Sequence, residues 1–105
     1  LLGDYILPTI ESLYALIVEK HSTDIRYSAA LSLSKLFSAL LEVIRSGRLS
    51  AATVNVSEIF HKSLLYLMEA LKNEPDHAAR FAQAEAIRDL LDAVYLSGVE
   101  EVDGN

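Results

Sequence analysis

The sequence predicts an all-α fold of two helical hairpins, and three observations carry that prediction. Apolar residues recur at three- and four-residue spacing through nearly all of the 105 residues. The strict alternation that marks a half-buried strand is absent. Hydrophobic residues make up 51% of the chain against only four glycines and two prolines, which excludes a disordered, collagen-like or linker sequence. A chain of this size can bury about two-thirds of its unfolded surface, so a real core is within reach.

The first helix is expected from about Tyr5 to Lys20, with Ile6, Ile10, Leu13, Ile17 and Tyr14 on one face. Asp4 is its candidate cap. Pro8 then falls near the first turn, where a missing N–H costs least, or else kinks the helix. His21-Ser22-Thr23-Asp24 is a polar turn in which Ser22 or Thr23 caps a second helix and Asp24 meets its positive end. That helix runs from about Asp24 to Arg45, with Ile25, Ala29, Leu33, Leu36, Phe37, Leu40 and Ile44 inward. Gly47 suits the left-handed position that ends it. Residues 48–54 read as a linker. Asn55 followed by Glu58 resembles a capping box for a third helix reaching about Asn73, with Ile59, Phe60, Leu64, Leu67, Met68 and Leu71 inward. Glu74-Pro75-Asp76 stops it, because proline disfavours helix in the residue before it. Asp76 caps a fourth helix over about His77–Leu96, ended by Ser97-Gly98. The domain plan is hairpin one over about 5–46, a linker at 47–54, hairpin two over about 55–97 and an acidic tail at 98–105.

The hairpin is written twice. A shift of 54 residues superposes Leu13 on Leu67, Ile17 on Leu71, Arg26 on Arg80, Ala30 on Ala84, Leu33 on Ile87 and Leu36 on Leu90. A helical hairpin leaves an apolar face that only a neighbouring hairpin can cover, so two such units read as a slice of a solenoid.

In hairpin one, Pro8 is followed by Leu13, Ile17, a polar turn, Asp24-Ile25-Arg26 and Ala29-Ala30. This resembles a HEAT repeat, with its proline in helix A and an arginine and two alanines opening helix B. Hairpin two repeats the pattern loosely as Pro75, Asp76, Arg80 and Ala84. HEAT arrays pair that arginine with an acid in the turn region of a neighbouring repeat. Six residues before Arg26 stands Lys20, and six before Arg80 stands Glu74, so only hairpin two offers an acid at that spacing. Ser63 to Asp76 further resembles a helix A and turn of the importin-β family of nuclear transport receptors, in its beta-three branch. The resemblance implies an α–α superhelix that shuttles between cytoplasm and nucleus, with basic cargo segments, the small GTPase Ran and nucleoporins as partners.

Catalytic chemistry finds little footing. With no cysteine, disulfides, thiolate metal sites and cysteine nucleophiles are excluded. His21, His61 and His77 form no i, i+4 pair, so a helical metal site is not offered. Ser28, Ser32, Ser34 and Ser38 lie in no G-x-S-x-G elbow, and the isolated glycines make no phosphate loop. Asn55-Val56-Ser57 matches a glycosylation sequon, but the cap is the simpler role. The reading is a non-enzyme with no cofactor and no metal.

A net charge of −6 argues against nucleic acid or an anionic membrane surface as partner. Charges also interrupt every apolar run short of a membrane span, and no signal peptide is visible. Residues 1–52 balance five acids with five bases, whereas residues 53–105 carry ten acids and four bases. Within the latter, Glu85, Asp89 and Asp92 form a stripe on the fourth helix, opposite Ile87, Leu90, Leu91 and Val94. By the resemblance this stripe is the candidate contact for basic cargo; otherwise it is a solvated face. Because the chain begins at Leu1 and its one methionine is Met68, it also reads as a fragment whose repeat ends favour self-association. Two further readings stand beside the importin one. They are a HEAT segment of another scaffold, such as a phosphatase regulatory subunit or a chromosome-organising protein, and a stand-alone four-helix bundle. The bundle requires buried polar groups on inward faces, where the sequence offers almost none.

Overall fold

The computed structural model describes residues 2–49 and 55–97, with side chains from 7 to 49 and 55 to 95. The acidic tail, most of the 47–54 linker and the side chain of Ile6 lie outside the described residues. The fold is all-α, with helices α1 (Leu2–Ile17), α2 (Thr23–Arg45), α3 (Val56–Asn73) and α4 (His77–Ser97).

The caps follow the local chemistry. Ser22 caps α2 by accepting the Ile25 N–H at 3.2 Å, and Gly47 takes the left-handed conformation at φ 84° beyond its end. Asp76 caps α4 through the Ala79 N–H at 2.9 Å. Asn55 accepts the Glu58 N–H at 3.2 Å, but only half of the capping box forms. The Glu58 carboxylate takes the Asn55 side-chain amide at 3.4 Å instead of its backbone.

Both ends of the first helix depart from expectation, and it stops at Ile17 rather than near Lys20. Helix α1 begins at Leu2, so Asp4 lies within it and Pro8 sits in its interior. The Ser12 hydroxyl donates to the Pro8 carbonyl at 3.0 Å, and the helix continues through the proline to Ile17.

The hairpins α1–α2 and α3–α4 lie side by side in the same sense. Helix α2 packs most extensively on α4, α1 touches α3, and α2 barely meets α3. In an up-and-down bundle with short loops, sequential helices are neighbours. Here the neighbours across the interface are equivalent helices, and the ten-residue return from α2 to α3 makes that possible. The core joins Ile10, Tyr14 and Ile17 of α1 and Ala30, Leu33, Phe37, Leu40 and Leu41 of α2. From the second hairpin it takes Ile59, Phe60 and Leu67 of α3 and Ala86, Leu90 and Val94 of α4. Each fully buried large side chain contributes about 1.5–3 kcal/mol. Two aromatic pairs stitch the layers: Phe37 meets Phe60 at a centroid distance of 5.9 Å, and Tyr14 stacks on Tyr66 at 4.4 Å.

Three residues assigned to the inward stripes are instead exposed: Ile25, Met68 and Leu91. Each sits on a helix face that the other hairpin does not reach. Helix α2 is also long and apolar enough to cross a membrane by length and composition, more so than its interrupting charges suggest. Its apolar stripe is occupied by α1 and α4.

Candidate functional site

The chemistry of the molecule concentrates where the two hairpin turns meet. Arg26, one turn into α2, reaches across to Glu74 at the end of α3. Its Nε donates to Glu74 Oε1 at 2.7 Å and its Nη2 to Oε2 at 2.9 Å, a bidentate grip. The remaining donor directions are used locally, with Nη1 to the Glu19 carbonyl at 2.9 Å and Nη2 to Thr23 Oγ1 at 3.1 Å. Glu74 also accepts the Gln83 side-chain amide at 2.9 Å and the Asp76 N–H at 3.2 Å. Its side chain is 1% exposed and that of Arg26 is 12%. The Arg26 hydrogen bond is the main cause that lowers the Glu74 carboxyl to about 2, against the opposing effect of burial. The same contact raises Arg26 further above its already high value. Gln83 is fully buried, and its Oε1 is the one buried side-chain polar atom among the described residues without a partner. The inward faces therefore hold more polar chemistry than the sequence suggested: beside the Glu74 cluster, Ser34 and Ser63 are buried, and the Tyr14 hydroxyl lies 2.9 Å from Ser63 Oγ.

The acid that the spacing offered only in hairpin two is the one in use across the hairpins. The acid six residues before Arg80 serves Arg26 of the other hairpin, whereas Arg80 sends Nη1 to the Glu74 and Leu71 carbonyls at 3.2 and 3.3 Å. In hairpin one the residue in the place of Glu74 is Glu19, not Lys20. Arg26 holds the Glu19 carbonyl as Arg80 holds that of Glu74. The Glu19 carboxylate accepts the His21 and Ser22 N–H groups at 2.8 and 2.7 Å, as Glu74 accepts that of Asp76. Glu19 stands seven residues before Arg26 and Glu74 six before Arg80, although a 54-residue shift keeps the flanking helices in register. A cleft of about 510 Å³ lies beside the clamp, lined by Val18, Lys20, Glu69, Asn73 and Pro75 among others.

The other signature residues separate. Ala30 is buried in the core, while Ala84, its repeat equivalent, is exposed together with Pro8, Pro75 and Arg80. On the α2–α4 surface, Asp89 and Asp92 line a hollow of about 390 Å³ with Ser34, Lys35, Ser38 and Ala93. Glu85 of the predicted stripe is outside that hollow, and Lys35 brings a positive charge into it. His21, His61 and His77 are exposed, with the His61 ring 2.7 Å from the Ser57 carbonyl one turn before it. Compared with protein-family models, curated proteins and solved structures, the chain matches none.

Proposed function

We propose that this chain is a segment of a non-catalytic protein-binding scaffold, two HEAT-type hairpins of an importin-β-like nuclear transport receptor. In that role the α2–α4 surface meets basic segments of cargo, with Glu85, Asp89 and Asp92 supplying the charge. Ran and nucleoporins are the further partners, and the receptor shuttles between cytoplasm and nucleus. The observation that carries the scaffold reading is the Arg26–Glu74 clamp. It joins two equivalent hairpins through a turn acid of one and a helix-B arginine of the other. Apart from Gln83 Oε1, the polar groups of that cluster are spent on one another, which suits holding a shape better than turning over a substrate.

The test is a titration of a lysine- and arginine-rich peptide into the chain at low and high salt. Binding that weakens with salt and is lost in a Glu85, Asp89 and Asp92 triple substitution to Ala is the expected result. Equal affinity for the triple variant removes the cargo surface. A pull-down with Ran loaded with GTP addresses the receptor family, and a scaffold that stacks but ignores Ran belongs to another assembly.

A further inference from the structure

The two outer faces of the molecule are unlike each other, and each resembles one half of the interface inside it. Inside, hairpin one presents Tyr14, Ala30, Phe37 and Leu41, with Arg26 at the turn end. Hairpin two answers with Ala70, Ala79, Ala82 and Ala86, and with Glu74 at the turn end. All of those apolar residues are buried.

The 54-residue shift carries each set onto an open face. Tyr14, Ala30, Phe37 and Leu41 become Met68, Ala84, Leu91 and Tyr95, all exposed on hairpin two. Ala70, Ala79, Ala82 and Ala86 become Leu16, Ile25, Ser28 and Ser32, all exposed on hairpin one. Ser28 and Ser32 are nearly as small as the alanines they match, so a helix can approach α2 there as α2 approaches α4.

The charges also match. Arg80 is exposed and anchored by Nη1 alone, as Arg26 is anchored on Glu19 before it reaches Glu74. No carboxylate among the described residues meets the Nε and Nη2 of Arg80, the two nitrogens with which Arg26 holds Glu74. Glu19 holds the structural place of Glu74 in the turn of hairpin one, and no side-chain cation among the described residues pairs with its carboxylate.

From this repetition of the internal interface and its charge complementarity, we propose that the open face of hairpin two docks hairpin one of a second copy, with Arg80 of one copy gripping Glu19 of the next. Such a contact is head-to-tail, so each added copy leaves the same two faces open and the series does not close at two. This inference rests on reading the hairpins as stackable repeats and needs neither cargo nor Ran.

Sedimentation of the 105-residue chain up to about 1 mM tests it. The expected result is a concentration-dependent ladder of dimer, trimer and longer species. Arg80→Glu weakens association about tenfold or more, and the double exchange Glu19→Arg with Arg80→Glu recovers it. Tyr95→Asp, on a side chain that the monomer does not bury, abolishes the ladder while helicity and urea midpoint stay unchanged. This keeps the test decisive if the Glu19 variant folds poorly. A strict monomer at the highest concentration overturns the proposal. So does a dimer that stops at two, or one indifferent to Arg80→Glu and Tyr95→Asp. None of these outcomes depends on whether basic peptides bind the α2–α4 surface, so the two readings fail separately.

Discussion

Hairpin one and hairpin two carry the same helical pattern and the same arginine, yet they live in opposite surroundings. Leu41 is 2% exposed and its equivalent Tyr95 is 77%; Tyr14 is 3% exposed and Met68 is 56%. Arg26 is locked in a buried ion pair while Arg80 faces outward. The difference teaches that burial here belongs to the neighbour rather than to the residue. Each hairpin has two faces, and the molecule covers one of each.

The comparison is sharpest in the core. Phe37→Ala empties a fully buried site and is expected to cost about 3–5 kcal/mol, while Leu91→Ala at the equivalent open site costs below about 1.5 kcal/mol. Urea unfolding of both variants gives the answer, and similar losses would erase the distinction between the hairpins.

Next comes the clamp. Arg26→Ala leaves the Glu74 carboxylate buried with only Gln83 and the Asp76 amide, and is expected to cost about 2–4 kcal/mol. Arg80→Ala removes turn contacts at an exposed position and costs under about 1 kcal/mol. If Arg80→Ala proves the more damaging, the assignment of Arg26 as the joining residue is wrong.

The same clamp predicts a pH dependence with a definite sign. Glu74 has a folded value of about 2 against an ordinary value of 4.5. A carboxyl lowered by folding adds stability that is fully present above its unfolded value and lost as pH falls through the folded one. The wild-type advantage over Glu74→Gln, on the order of 2–3 kcal/mol at neutral pH, should therefore shrink as pH falls from about 5 toward 2. A gap that stays constant over that window counts against the lowered carboxyl.

The smallest effect is expected at Gln83. Gln83→Leu removes one donor to Glu74 and one unpartnered buried oxygen together, so stability should move by less than about 1 kcal/mol in either direction. A large loss there would mean that Glu74 leans on Gln83 more than on Arg26.

Local features were well marked in the chain. Ser22, Asp76 and Gly47 occupy the capping and terminating positions that their chemistry favours, and the apolar stripes of α2 and α3 hold at Leu33, Phe37, Leu40, Ile59 and Leu67. Interior proline was harder to place. A start at Tyr5 put Pro8 near the first turn, but α1 begins three residues earlier and continues past it. The candidate contact surface was legible only in part: Asp89 and Asp92 share a hollow, but the approach of Lys35 from α2 could not be seen on one helix alone.

By itself the sequence determined the helices, their caps and the duplication, because these depend on spacing and on side chains reaching their own backbone within a turn. Only the tertiary structure decided which copy of each face is covered, and which acid meets which arginine. Those outcomes depend on contacts about 50 residues apart in the chain, such as Arg26 with Glu74. A periodic pattern gives a helix its faces, and packing assigns each face a partner.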